Sequence, residues 1–183
     1  KLVEYDRRHG DRGTGYRSIQ GTDQYLALPE AGYPENWTET LKKLPVIGNQ
    51  EPYIVTKIDN KSIFILGKNL NEIVLNWEDE TWARPFINSN ERAQRPKSPK
   101  DLFNIGDIIR VEQRNRTEFG LGQIPAIQGA FVAIDPKNGS IKALVGGFDF
   151  KHNQFNHVTQ ARRQPGSSFK PFYYAGALEN GLT

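Results

Sequence analysis

The sequence contains no cysteine, no methionine and no apolar run near the roughly 20 residues that a membrane helix requires. Without cysteine there is no thiol nucleophile, no thiolate metal site and no disulfide. That suits a reducing compartment or an envelope protein that does without disulfides, so compartment stays open. A chain that opens at Lys1 and lacks methionine reads as a fragment, with its true start and any anchor or export signal expected upstream. Excess charge is scarce as well. Lys and Arg total 24 against 21 Asp and Glu, a formal net charge of +3, and the basic residues come in pairs such as Arg7-Arg8, Lys42-Lys43 and Arg162-Arg163. Such a balance favours solvated surface over a nucleic-acid partner. His9, His152 and His157 have no ligand-like partners in the sequence, so no metal or other cofactor is expected.

What is present is a loop-rich, β-leaning composition, with 37% hydrophobic residues, 25% charged residues, 17 Gly and 11 Pro. It is apolar enough for packed cores in one medium or two small domains. Residues 1–44 are charged and Gly-punctuated and read as an irregular connector. One amphipathic helix is expected at Glu35–Lys43, after Pro34 and stopped by Pro45.

Short strands follow. Tyr53–Ile58 and Ser62–Leu66 flank Asp59-Asn60 as a hairpin, Glu72–Trp77 adds a third strand, and Ile108–Gln113 and Glu118–Ile124 complete five. Five short strands within 45–125 suit a small closed barrel of the oligonucleotide/oligosaccharide-binding (OB) type. Pro85–Lys100 reads as a mobile loop. Trp37, Trp77 and Trp82 are read as core, with Trp77 and Trp82 also considered as a barrel surface for glycan or a partner protein.

A different pattern begins near 126. Phe131–Asp135 and Ser140–Gly147, joined through Asn138-Gly139, predict a hairpin in a buried sheet, with Asp135 closing the turn rather than acting in catalysis. After the Pro165-Gly166 break, Ser167–Asn180 predicts a helix ended by Gly181. Phe169, Phe172, Tyr173, Ala175 and Leu178 would bury it in a larger core.

Ser167-Ser168-Phe169-Lys170 is the only Ser-x-x-Lys in the chain. On a helix, i and i+3 share a side about 5–6 Å apart at Cβ, so Lys170 can meet Ser167 but not Ser168. A serine hydroxyl needs a base to become a nucleophile. A lysine serves when burial or neighbouring positive charge lowers its pKa. A helix N-terminus stabilises negative charge developing beside it. The same four residues are equally explained by Ser167 as a helix-capping serine and Lys170 as a solvated helix residue.

Three stretches carry a family resemblance: Gly129–Gly147, Asn156–Gln160, and Arg163–Phe172 (Arg-Gln-Pro-Gly-Ser-Ser-Phe-Lys-Pro-Phe). Together they resemble the start of the transpeptidase domain of class A penicillin-binding proteins, bifunctional peptidoglycan synthases of the bacterial envelope. Tyr5–Gly13, with a small barrel ahead of the transpeptidase, is similar to the 1A type of Gram-negative bacteria. The resemblance implies a mixed fold, in which an all-β OB-like barrel precedes the N-terminal part of an α/β transpeptidase with an antiparallel sheet and helices. The implied division is a connector at 1–44, the barrel at 45–125 and an incomplete transpeptidase at 126–183.

By the same resemblance, Ser167 is acylated by the D-Ala-D-Ala end of a peptidoglycan stem peptide, Lys170 shuttles the proton, and the Ser167 backbone N–H forms half of the oxyanion hole. β-Lactams would acylate Ser167 and remain. The family's Ser-x-Asn and Lys-Thr-Gly motifs and its glycosyltransferase domain are absent from the sequence. The chain is therefore expected to be inactive alone, with the rest of the transpeptidase in a separate chain. A membrane anchor on the missing N-terminal side places the whole at the periplasmic face of the inner membrane. Two other readings compete: a non-enzymatic barrel that recruits an envelope regulator or glycan, and a Ser-x-x-Lys β-lactamase or β-lactam sensor.

Overall fold

The computed structural model describes residues 1–8, 35–88 and 91–182. They divide into two units, one comprising 1–129 with 147–154, the other 130–146 with 155–183.

The first unit is built on a five-stranded antiparallel sheet: β1 (Gln50–Ile58), β2 (Ser62–Gly67), β3 (Glu72–Asn76), β6 (Ile108–Gln113) and β7 (Phe119–Gly122). The spatial order is β3-β2-β1-β6-β7, and β3 also approaches β7, which curls the sheet into a barrel. A bulge between Val55 and Lys57 supplies part of that curl, because an extra residue on one strand increases local twist. Alternation decides what faces inward. Tyr53 and Val55 of β1, Ile63 and Ile65 of β2, Ile109 and Val111 of β6 and Leu121 of β7 form one buried cluster with Trp77 and Phe103.

β1 is also buried on its outer face, because helix α2 (Glu35–Lys43) lays Trp37 and Leu41 over Ile54 and Ile108. Each such side chain stabilises the fold by about 1.5–3 kcal/mol when fully buried, and Trp37→Ala should loosen α2 first. The expected bounds of α2 coincide with the observed ones. The expected hairpin and the third, fourth and fifth strands are present, with Trp77 moved from the third strand into a short 3₁₀ turn.

Two expectations need correction here. Residues 2–8 form helix α1 (Leu2–Arg8), where irregular backbone was expected. Its stability comes from a long-range anchor that no local pattern records. Arg7 donates to Glu112 Oε1 and to the Leu121 carbonyl, both at 2.8 Å, and stacks 4.5 Å over the Trp82 ring. His9–Gly13 and Pro34 lie outside the described residues. The Pro85–Lys100 loop contains a small hairpin, β4 (Phe86–Asn88) with β5 (Glu91–Arg92). Near its end, Ser98 and Asp101 make a reciprocal capping box on a 3₁₀ turn.

The second unit contains the hairpin β8 (Phe131–Ile134) and β9 (Ile141–Val145), then a 3₁₀ turn at Gly166–Phe169 and helix α3 (Lys170–Glu179). Gly139 adopts φ +73° in the β8–β9 loop. Asp135 closes that loop as expected: its side chain accepts from the Lys137 N–H at 2.9 Å, and its carbonyl accepts from the Gly139 N–H at 2.8 Å. Helix α3 ends as the sequence indicates. Gly181 is at φ +73°, its N–H bonds to the Leu178 carbonyl, and the Leu182 N–H bonds to the Ala177 carbonyl. Burial differs from expectation. β8, β9 and α3 leave their apolar side chains exposed, Phe131 at 58%, Ile141 at 60%, Phe172 at 69% and Leu178 at 67%.

Candidate active site

Pro165, at φ −65°, is in the right-handed region, and Gly166 follows at φ +52°, a conformation that side chains disfavour. The reversal opens the 3₁₀ turn Gly166–Phe169, which runs directly into α3. The Lys170 N–H bonds to the Ser167 carbonyl, so both residues belong to one hydrogen-bonded turn. In 3₁₀ geometry i and i+3 eclipse, which aligns Ser167 and Lys170 more closely than an α-turn does. Ser168 faces elsewhere.

The capping explanation of the serine does not hold. The residues at the two N-cap positions are Pro165 for the 3₁₀ turn and Phe169 for α3, and neither makes a side-chain cap. Among the described residues, neither the Ser167 hydroxyl nor the Lys170 ammonium has a hydrogen-bond partner. Both residues are exposed. Among the described residues the Ser167 N–H has no acceptor either, as is usual for the leading donors of a helical turn. A serine hydroxyl, a lysine ammonium and a backbone donor, none of them hydrogen-bonded among the described residues, therefore occupy one turn.

The sequence pattern gives no account of how the preceding segment is held. Gly146, at the end of β9, accepts from the His157 N–H at 2.8 Å, and a Cβ on Gly146 would collide with the Asn156 side chain. Asn156 Oδ1 accepts from the Val158 and Thr159 N–H groups, and the Asn156 N–H donates to Gln160 Oε1 at 2.6 Å. The chain leading to Ser167 is thus tied to the end of β9. The Gly146-Gly147 pair and the Asn beside it were the available signals, since glycine permits a close backbone approach. His157 makes an edge contact with Phe155, centroids 4.9 Å apart, which fits a structural histidine.

The tryptophans considered as a barrel surface have other duties. Trp77 is buried edge-on against Phe103, and Trp82 donates to Glu80 Oε2 at 3.0 Å beneath Arg7.

Comparison with known proteins agrees with this layout. Residues 20–127 match the family described as penicillin-binding protein OB-like domain, and residues 129–183 match the penicillin-binding protein transpeptidase domain. The chain is 39% identical over its whole length to penicillin-binding protein 1A of Pseudomonas aeruginosa, of which it covers 21%. It is 36% identical over its whole length to the protein of the same name from Escherichia coli, again covering 21%. A crystal structure of penicillin-binding protein 1A from Haemophilus influenzae superposes with a TM-score of 0.71 at 32% identity, over 97% of this chain and 24% of that one. The chain spans about a fifth of the length of these relatives. With an OB-like barrel ahead of the opening part of a transpeptidase, and both halves matched, the chain belongs to the class A penicillin-binding proteins of the 1A type.

Proposed function

We propose that this chain carries the nucleophile of a serine D,D-transpeptidase that cross-links peptidoglycan stem peptides. The observation that carries the reading is the turn Gly166–Lys170. It holds a serine hydroxyl free of capping, a lysine one turn later and a free N–H, inside the segment that matches the transpeptidase family.

Ser167 Oγ attacks the carbonyl of the penultimate D-Ala while Lys170 takes its proton. The C–N bond to the terminal D-Ala breaks, and that residue leaves with a proton returned by Lys170. The amine of a second stem attacks the ester, the C–O bond breaks, and Ser167 Oγ recovers a proton. The Ser167 N–H stabilises the oxyanion in both halves. β-Lactams enter the first half and stop there.

The remaining walls of the cleft belong to the rest of the transpeptidase domain, which also covers the apolar side chains exposed on β8, β9 and α3. We place the division of the chain at 1–44, 45–125 and 126–183. The whole protein also polymerises glycan as a glycosyltransferase, sits at the periplasmic face of the inner membrane through an N-terminal anchor, and meets an envelope regulator at the barrel. The β-lactamase and sensor reading is disfavoured by the upstream barrel, which matches the penicillin-binding OB-like family.

Incubation of the intact protein with a labelled penicillin tests the reading. One equivalent should bind covalently, and Ser167→Ala should abolish it. Rapid release of the label would favour a β-lactamase instead.

A further inference from the structure

The barrel opens where β1 begins. Strand register assembles the opening: Glu51 of β1 pairs with Val111 of β6, and Gln113 of β6 pairs with Phe119 of β7. Alternation puts Glu51 on the same face as Tyr53, and Val111 on the same face as Gln113. These side chains, with Val46 and Asn49 from the turn before β1, line a cavity of about 430 Å³. Small-molecule sites run from about 300 to 1,000 Å³.

The base of the cavity is the buried pair Tyr53 and Val111. The Tyr53 hydroxyl accepts from Asn71 Nδ2 at 3.0 Å, which leaves its own proton to donate. Glu51 is balanced by Lys68 at 3.4 Å, with the two side chains 43% and 35% exposed, so carboxylate oxygen remains reachable. Gln113 and Asn49 add exposed amides, and Phe119 adds a half-buried aromatic face. The rim is fixed in advance, because Gly48, beside Asn49, donates its N–H to Asp149 Oδ2 at 2.9 Å. Pre-formed rims lower the ordering cost of binding.

This lining carries one carboxylate, Glu51, and no cation. Lys68, the cation beside Glu51, is already paired with it, so the lining offers no purchase to a phosphate or a nucleic-acid backbone, which need Lys or Arg. A carboxylate, two amides, a phenol and an aromatic face match a ligand with several hydroxyls, an acetamido group and an apolar ring face. We propose that the mouth of the barrel binds an N-acetylated sugar unit of a glycan chain. Only the source of that glycan rests on the peptidoglycan reading; the ligand chemistry comes from the cavity.

Titration of the ¹⁵N-labelled 183-residue chain with N,N′-diacetylchitobiose, followed by amide NMR, tests the inference. Saturable shifts should centre on Asn49, Glu51, Tyr53, Gln113 and Phe119. Gln113→Ala, an exposed change, and Tyr53→Phe, which removes only the hydroxyl, should each weaken binding by about tenfold, the effect of losing one good contact. Unchanged unfolding midpoints would show that the variants are folded. No saturable shift at about 10 mM sugar, a weaker limit than ordinary millimolar recognition, overturns the inference. So do shifts elsewhere, or a response of these amides to a stem pentapeptide and not to sugar. A protein that acylates at Ser167 but ignores the sugar sinks this inference alone; one that binds the sugar and does not acylate sinks only the transpeptidase reading.

Discussion

Glu80 is 1% exposed and both of its carboxylate oxygens lie 3.0 Å from Arg114 Nη2. The same carboxylate accepts from the Leu121 N–H at 2.9 Å and from Trp82 Nε1. It therefore joins the turn after β3, the β6–β7 end and β7 in one network. Glu112 extends the network to Arg7 and so to α1. Glu80→Ala would leave the buried Leu121 N–H without its acceptor and take one carboxylate from Arg114, which keeps Glu112. It should cost about 1–3 kcal/mol in a denaturant titration. Glu80→Gln keeps an acceptor and the shape, and should cost clearly less.

Burial pushes the Glu80 carboxyl above its usual pKa, in spite of the Leu121 N–H and the Arg114 charge. The folded state therefore binds this proton more tightly than the unfolded state does. Glu80's contribution to stability is fully present below the unfolded pKa and is lost as pH rises through the folded pKa. The stability difference between wild type and Glu80→Gln should change between the unfolded and the folded pKa of Glu80 and flatten above the folded one. Unfolding curves at several pH values check this.

Asp149 has the opposite sign. The Gly48 N–H, then those of His152 and Lys151, hold its carboxyl below its ordinary value of 3.8. Its contribution is present above the unfolded pKa and is lost as pH falls through the folded one. The Gly48 amide proton signal should titrate with a midpoint below 3.8, and Asp149→Asn should remove that transition.

Gly48 itself is at φ +59°, and a Cβ there would lie 3.1 Å from the Phe148 ring. Gly48→Ala should cost about 1–2 kcal/mol from the left-handed conformation. Phe148→Ala should relieve only the steric part. A double-mutant cycle measured by thermal unfolding separates the two contributions.

Much of this molecule is legible in its sequence where local rules and tertiary packing agree. The β1–β2 hairpin, α2 between its prolines, and Gly181 as the stop of α3 are set by turn residues and apolar spacing within a few positions. Helix α1 is not legible, because Arg7 finds its partners more than 100 residues away. Nor is the exposure of Phe172 and Leu178, since periodicity marks a face that wants cover but does not say whether cover is at hand. At the candidate site, spacing selects Ser167 over Ser168. It cannot show that Pro165 and Phe169 occupy the cap positions and leave the serine free.

Lys170→Ala should slow acylation of the intact protein by about 10²–10⁴-fold, the usual contribution of a positioned base. Its folding should be unaffected, because Lys170 is exposed and makes no ion pair among the described residues. Stopped-flow acylation by a chromogenic β-lactam, with thermal unfolding alongside, reads both effects.

The central claim is that Ser167, and not its neighbour, takes the acyl group. Penicillin-treated intact protein, digested with trypsin and sequenced by mass spectrometry, tests it most directly. The adduct should sit on Ser167 in the peptide that begins at Gln164, should persist in Ser168→Ala and should vanish in Ser167→Ala. An adduct on Ser168, or labelling that survives Ser167→Ala, would contradict the account.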